Sequence, residues 1–240
     1  MHSTSFSRFA PLAAGALLLT GAGAAQAEIT GNASVVSKYI FRGGAEDART
    51  AFQGGLDYAH GSGFYAGTWF STLNYNDPAA NEIDAYAGYG GSAGELGYDV
   101  GLLYFYYTGD ATEGSSVPEG TASVSYGPVS LSANVALDTV DWTAAGDTYV
   151  NLSFEQPLPQ DFTFSIDAGY YFYAGDLEDE DGNTTVVMTE DGAFRDATVS
   201  LSHPLAATGA SMHINYTVGG YDRTDANLDD NFWAGATWTF

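Results

Sequence analysis

Val129-Ser130-Leu131-Ser132-Ala133-Asn134-Val135-Ala136-Leu137 carries an apolar residue at every odd position and a small or polar one at every even position. Successive side chains of an extended chain point to opposite faces, so this segment reads as a strand with one apolar and one polar face. Phe162-Thr163-Phe164-Ser165-Ile166-Asp167-Ala168-Gly169-Tyr170-Tyr171-Phe172 repeats the pattern with larger groups. In Ser211-Met212-His213-Ile214-Asn215-Tyr216-Thr217-Val218 the apolar residues take the even positions. Working outward, twelve such runs lie near 29–42, 51–59, 63–73, 82–90, 95–107, 120–126, 128–138, 147–156, 161–173, 193–202, 209–221 and 231–240.

The links between the runs alternate in length. Short ones fall at 60–62, 91–94, 127, 157–160 and 203–208, and long ones at 43–50, 74–81, 108–119, 139–146, 174–192 and 222–230. A meander with short turns at one end and long loops at the other predicts a transmembrane antiparallel up-and-down β-barrel of about twelve strands over 28–240. An even strand count puts both termini at the short-turn, periplasmic end.

A soluble β-sandwich also shows short alternating strands. Two features favour the barrel. Tyr58, Phe64, Tyr89, Tyr98, Tyr126, Phe154, Phe162 and Phe240 gather beside the short turns. Phe41, Phe52, Phe70, Tyr104, Tyr106, Phe172 and Phe232 gather beside the long loops, giving two aromatic girdles around an apolar band. The opposite face is polar and charged, with Lys38, Asp57, Asp84, Asp99, Asp167 and His213, which requires water on that side.

Composition narrows the function. Thirty Asp and Glu face six Lys and Arg among 240 residues, a net charge of −24 that excludes ordinary nucleic-acid binding. No cysteine is present, which excludes disulfide scaffolds, thiolate zinc sites and iron–sulfur clusters, and no cofactor is expected. Residues 1–27 read as a secretory signal peptide. Arg8 closes a short basic region, an apolar run follows from Pro11 to Leu19, and Ala25-Gln26-Ala27 is a small-residue cleavage pattern. The apolar run is too short and too rich in Gly and Ala for a membrane helix.

Three stretches carry a resemblance: Ser37-Lys38-Tyr39-Ile40-Phe41-Arg42-Gly43 with Gln53-Gly54-Gly55-Leu56-Asp57-Tyr58, then Ser62-Gly63-Phe64-Tyr65-Ala66-Gly67-Thr68-Trp69, then Glu82-Ile83-Asp84-Ala85-Tyr86-Ala87-Gly88-Tyr89 ahead of Tyr98-Asp99-Val100-Gly101. Together they resemble the TorF family of porins, Gram-negative outer-membrane barrels. The resemblance covers about residues 34–109 and departs at Gly44-Ala45-Glu46 and at Thr108, both loop edges. It implies an outer-membrane location and passive passage. Phe232, Trp238 and Phe240 alternate outward in a terminal strand similar to the one that barrel-assembly machinery recognises.

Enzymatic chemistry is poorly provided for. Of the histidines after residue 27, His60 and His203 fall in short turns, and His213 has only Ser211 and Asn215 as same-face neighbours. No metal site is expected. Asp176-Leu177-Glu178-Asp179-Glu180-Asp181-Gly182-Asn183 fails the EF-hand order, since Gly182 at position six puts Leu177 at position one. The acidic loop is read as solvated, with loose divalent-cation binding left open.

The lumen is the remaining constellation, lined by Lys38, Arg42, Asp57, Glu82, Asp84, Asp99, Glu155, Asp167 and His213. If the 43–50 loop sets Arg42 near Ala51, Lys38 falls opposite Gly55 and diagonal to Asp57, with Arg42 beside Glu46 and Asp47. The expected function is a non-enzymatic outer-membrane porin that passes ions or small solutes, with a preference for cations. The alternative is a non-conducting barrel acting through its acidic loops. Outer-membrane lipid, lipopolysaccharide and the barrel-assembly machinery are the expected partners, with no nucleic acid.

Overall fold

The computed structural model describes residues 27–240 apart from 74–76, 78, 180 and 206–207. Nearly all of the expected signal peptide lies outside the described residues. The strands run in order β1 (Glu28–Val36), β2 (Tyr39–Phe41), β3 (Gly44–Asp47), β4 (Ala51–Ala59), β5 (Phe64–Thr72) and β6 (Asn81–Ala93). They continue with β7 (Leu96–Thr108), β8 (Val117–Tyr126), β9 (Val129–Ala136), β10 (Thr148–Pro157) and β11 (Thr163–Phe172). The last are β12 (Leu177–Glu178), β13 (Thr184–Val186), β14 (Gly192–Leu205), β15 (Ala210–Gly219) and β16 (Asn231–Thr239). No described helix is long and apolar enough to cross a membrane.

Twelve of these strands close an antiparallel barrel in the wall order β1, β4 to β11, β14, β15, β16. β1 closes it against β16, with Ala33 opposite Trp238 and Val35 opposite Ala236. The period of two in the sequence is the period of the wall. Along β7, Tyr98, Val100, Leu102 and Tyr104 are exposed outward, while Asp99, Leu103 and Phe105 are buried inward. A ten-residue strand spans about 33 Å, and at a tilt of about 40° it rises about 25 Å, the height of an outer-membrane apolar band. Short turns need little chain: Gly94 and Gly127 take φ of 67° and 55° there, a backbone region open to glycine.

One expected strand is two structures. The 29–42 run ends as a wall strand at Val36, and the chain then turns inward as the β2–β3 hairpin. Ser37 marks the departure, its amide donating to the Ala234 carbonyl at 2.8 Å and its hydroxyl accepting from the Ala234 amide at 3.0 Å. Tyr39, Ile40 and Phe41 form an unbroken apolar triplet with all three buried, so no alternating wall position suits them. Phe41 therefore leaves the expected girdle for the lumen at 9% exposure, whereas Phe232 at 62% and Phe240 at 75% face outward. The register changes with it. Val36 pairs with Ala51 and Asn32 with Gly55, so the expected approach of Lys38 to Gly55 and Asp57 does not occur.

The hairpin brings the apolar core inside the barrel at its long-loop end. Tyr39, Ile40 and Phe41 pack with Leu103, Phe105, Val117 and Trp233 from the wall and with Val140 and Trp142 from a loop. Phe41, Phe105 and Trp142 meet edge to face, with centroids 5.7–6.2 Å apart.

Candidate functional site

The acids of the lumen wall are held by a repeated device. Asp57, Gly67 and Tyr86 stand in one row across β4, β5 and β6. Gly67 has no side chain, so the Tyr86 ring lies flat across β5 and its hydroxyl donates to Asp57. A Cβ at Gly67 would sit 2.5 Å from that ring. Tyr65 on β5 crosses Gly88 on β6 and donates to Asp99 on β7 at 2.8 Å. Tyr149 on β10 crosses Gly169 on β11 and donates to Asp196 on β14 at 2.9 Å. Asp167 is held by the Ser153 hydroxyl from the neighbouring strand at 2.5 Å. Each of these carboxylates takes one hydroxyl, a donor that brings no charge of its own, and Asp99 Oδ2 has no partner among the described residues.

Higher in the barrel the hairpin crosses the lumen. Its tip is Arg42–Gly43, with φ of 45° and 80°. Arg42 is a non-glycine residue in the left-handed region, a conformation kept only where surrounding contacts enforce it. The contacts are dense. The Arg42 guanidinium donates to both oxygens of Glu119 on β8, at 2.8 and 2.6 Å, and to the Tyr171 hydroxyl on β11 at 2.8 Å. It also lies 4.6 Å from the Phe41 ring centroid and 4.9 Å from that of Tyr149. Its carbonyl accepts from the Arg195 Nε at 2.8 Å. Side-chain exposure is 6% for Arg42 and 1% for Glu119, so the pair is desolvated. Of the expected neighbours of Arg42, Asp47 accepts from Arg49 and Glu46 shares a cavity wall with Arg42, while the bidentate partner is Glu119.

The other expected lining residues are spread around this hairpin. Lys38 donates to Asn231 Oδ1 at 3.0 Å. Glu82 accepts from Tyr39 at 3.2 Å, and its second oxygen has no partner among the described residues. Asp84 is fully buried between Trp69 and Phe105 of the adjoining strands, and neither of its oxygens has a partner there. Glu155 is half-buried on β10. His213 stands with Asn215, whose Nδ2 lies 2.8 Å from its Nδ1, and meets Trp233 edge to face. Phe232, Trp238 and Phe240 are all exposed outward, and Phe240 exchanges backbone hydrogen bonds with Gly31.

In the 174–192 loop, Asp179 accepts from the side chain and backbone of Asn183 and the backbone of Asp181, which holds its carboxyl below the ordinary range. Among the described residues no group of three potential ligands is arranged for a metal ion.

Above the hairpin lies a cavity of about 490 Å³, walled by Phe41, Arg42, Trp142, Tyr171, Tyr173, Arg195 and Arg223 together with loop residues. Arg223 donates to Asp147 and, at 2.6 Å, to the Gly175 carbonyl. Tyr171 and Tyr173 stack at an interplanar angle of 9° with centroids 5.2 Å apart. Sequence reasoning missed Glu119, Asp147, Arg195 and Arg223. Their one visible signal is scarcity: each arginine is among very few cations in a chain of thirty acids.

Residues 20–240 match the model of a bacterial protein family of unknown function, Gcw_chp. The chain belongs to the Gcw_chp family. No curated protein matches its sequence. Among solved structures, this Gcw_chp chain is similar to KdgM porin, with TM-score 0.56 and 8% identity over 88% of this chain and 99% of that one. It is similar to NanC porin, with TM-score 0.54 and 12% identity over 88% and 98%. It is also similar to the COG4313 outer-membrane channel of Pseudomonas putida F1, with TM-score 0.52 and 10% identity over 88% and 94%. These likenesses establish the Gcw_chp barrel as one of porin type in its fold.

Proposed function

We propose that the chain is a non-enzymatic porin of the Gram-negative outer membrane, exported by a signal peptide cleaved near Ala27 and passing ions or small solutes passively with a preference for cations. The observation that carries this reading is the division of the wall. An apolar, aromatic outer face surrounds an inner face whose carboxylates are held by uncharged hydroxyl donors. Carboxylates around a low-dielectric passage attract cations and repel anions. The likeness to the TorF family belongs to the same reading, as do lipopolysaccharide at the acidic loops and assembly machinery at the Phe240 strand. A KdgM porin has been solved with a disordered oligogalacturonate, which supports a solute path in a barrel of this shape.

The hairpin across the lumen makes the passage narrow, and it also favours a second reading: a barrel that conducts little and acts through its loops. Planar-bilayer recording of refolded protein separates the two. The porin reading expects discrete conductance steps that grow severalfold in Arg42→Ala, because the tip of the hairpin loses its anchor. A barrel silent in both forms would support the second reading.

A further inference from the structure

The chain keeps only five Lys and Arg beyond residue 27, and three of the five wall this cavity, together with the acids Glu46, Asp141 and Asp222. That concentration runs against the charge of the whole molecule, and the cations are arranged in order. Arg42 and Arg195 lie 5.8 and 5.6 Å from the Tyr171 ring centroid, and Arg223 lies 4.8 Å from that of Tyr173. With the two tyrosines stacked in parallel, these groups form a ladder of guanidinium and ring. Each rung is fixed from behind: Glu119 holds Arg42, Asp147 and the Gly175 carbonyl hold Arg223, and the Arg42 carbonyl holds the Nε of Arg195. Fixed guanidinium planes beside ring faces are suited to carboxylate recognition, since no ordering remains to be done on binding.

Three acids, Glu46, Asp141 and Asp222, share this wall, and two of them have hydrogen bonds that fix their direction without offsetting their charge. Asp141 accepts from the Ser115 hydroxyl, and Asp222 from the Thr224 hydroxyl and the amides of Thr224 and Ala226. The donors are less committed. Two of the five guanidinium hydrogens of Arg223 are engaged in hydrogen bonds, while Arg195 gives its Nε to the Arg42 carbonyl and turns its charge toward the Tyr173 hydroxyl and Asp222. The Tyr173 hydroxyl at the cavity edge is buried beside the Arg195 and Arg223 guanidinium groups. A volume of about 490 Å³ holds a small solute and excludes a polymer.

We propose that this cavity is a binding site for a small solute bearing a carboxylate beside a flat ring face, with Arg195 as its principal contact. The proposal goes beyond the porin reading: it names a ligand held at the mouth rather than the ion that the lower lumen favours, and binding is measurable whether or not the barrel conducts.

Nicotinate and nicotinamide form a suitable probe pair, sharing a ring and differing in carboxylate against neutral amide. Titration calorimetry on the refolded full-length barrel should show saturable nicotinate binding, one site per barrel, at least tenfold tighter than nicotinamide. Arg195→Gln should abolish the difference and Arg195→Lys should keep part of it. Equal affinity for the two probes in the unsubstituted protein would overturn the proposal, and that comparison does not depend on any variant folding. An unchanged preference in refolded Arg195→Gln would overturn the role of Arg195. A barrel that conducts without preferring nicotinate loses this site and keeps the porin reading; one that binds nicotinate without conducting does the reverse.

Discussion

The lumen holds its acids in two different ways. Toward the short turns, Asp57 and Asp99 each accept a tyrosine hydroxyl from two strands away across a glycine, and Asp167 accepts the Ser153 hydroxyl of the adjacent strand. Toward the long loops, Glu119 and Asp147 are tied to arginines, and aromatic side chains fill the interior. A hydroxyl leaves a carboxylate its charge, whereas a bidentate arginine cancels it. On the proposed porin reading, the lower half sets the field that an ion meets, and the upper half sets what reaches it.

Removing a partner from each half should expose the contrast. Glu119→Ala leaves Arg42 buried without its anion, and a cost of about 3–5 kcal/mol is expected in urea titration of the refolded barrel. A loss below about 1 kcal/mol, the range of an exposed pair, would mean that the upper half is not organised by this contact. Gly67→Ala in the lower half pushes a methyl group into the Tyr86 ring, and overpacking of this kind costs about 1–3 kcal/mol. If Gly67→Ala proves the more costly of the two, the ranking of the halves is wrong.

Legibility in the sequence follows the same division. The wall could be read almost strand by strand, because a half-buried strand must alternate and its turns must contain turn residues. Val129–Ala136 and Thr148–Pro157 lie within two residues of their expected limits. The hairpin could not be read in the same way. Tyr39-Ile40-Phe41 breaks the alternation, but three apolar residues do not say what they pack against. The pairing of Arg42 with Glu119 joins residues 77 apart, and no local pattern encodes that distance. Asp57, Asp99 and Asp167 were visible as inward charges from strand parity alone. Their tyrosine and serine partners required the register between strands, which sequence periodicity leaves open.

On the porin reading, the lower half carries into a passage negative charge that no arginine offsets. Reversal potentials of the refolded protein under a KCl gradient measure it directly. The account predicts preference for potassium over chloride, weakening as salt rises because exposed charges are screened within about 8–10 Å at 0.1–0.15 M. Asp57→Asn combined with Asp167→Asn should reduce that preference with the barrel intact, since each asparagine keeps an oxygen to accept its hydroxyl. A chloride-selective pore, or a selectivity unmoved by the double substitution, would contradict it.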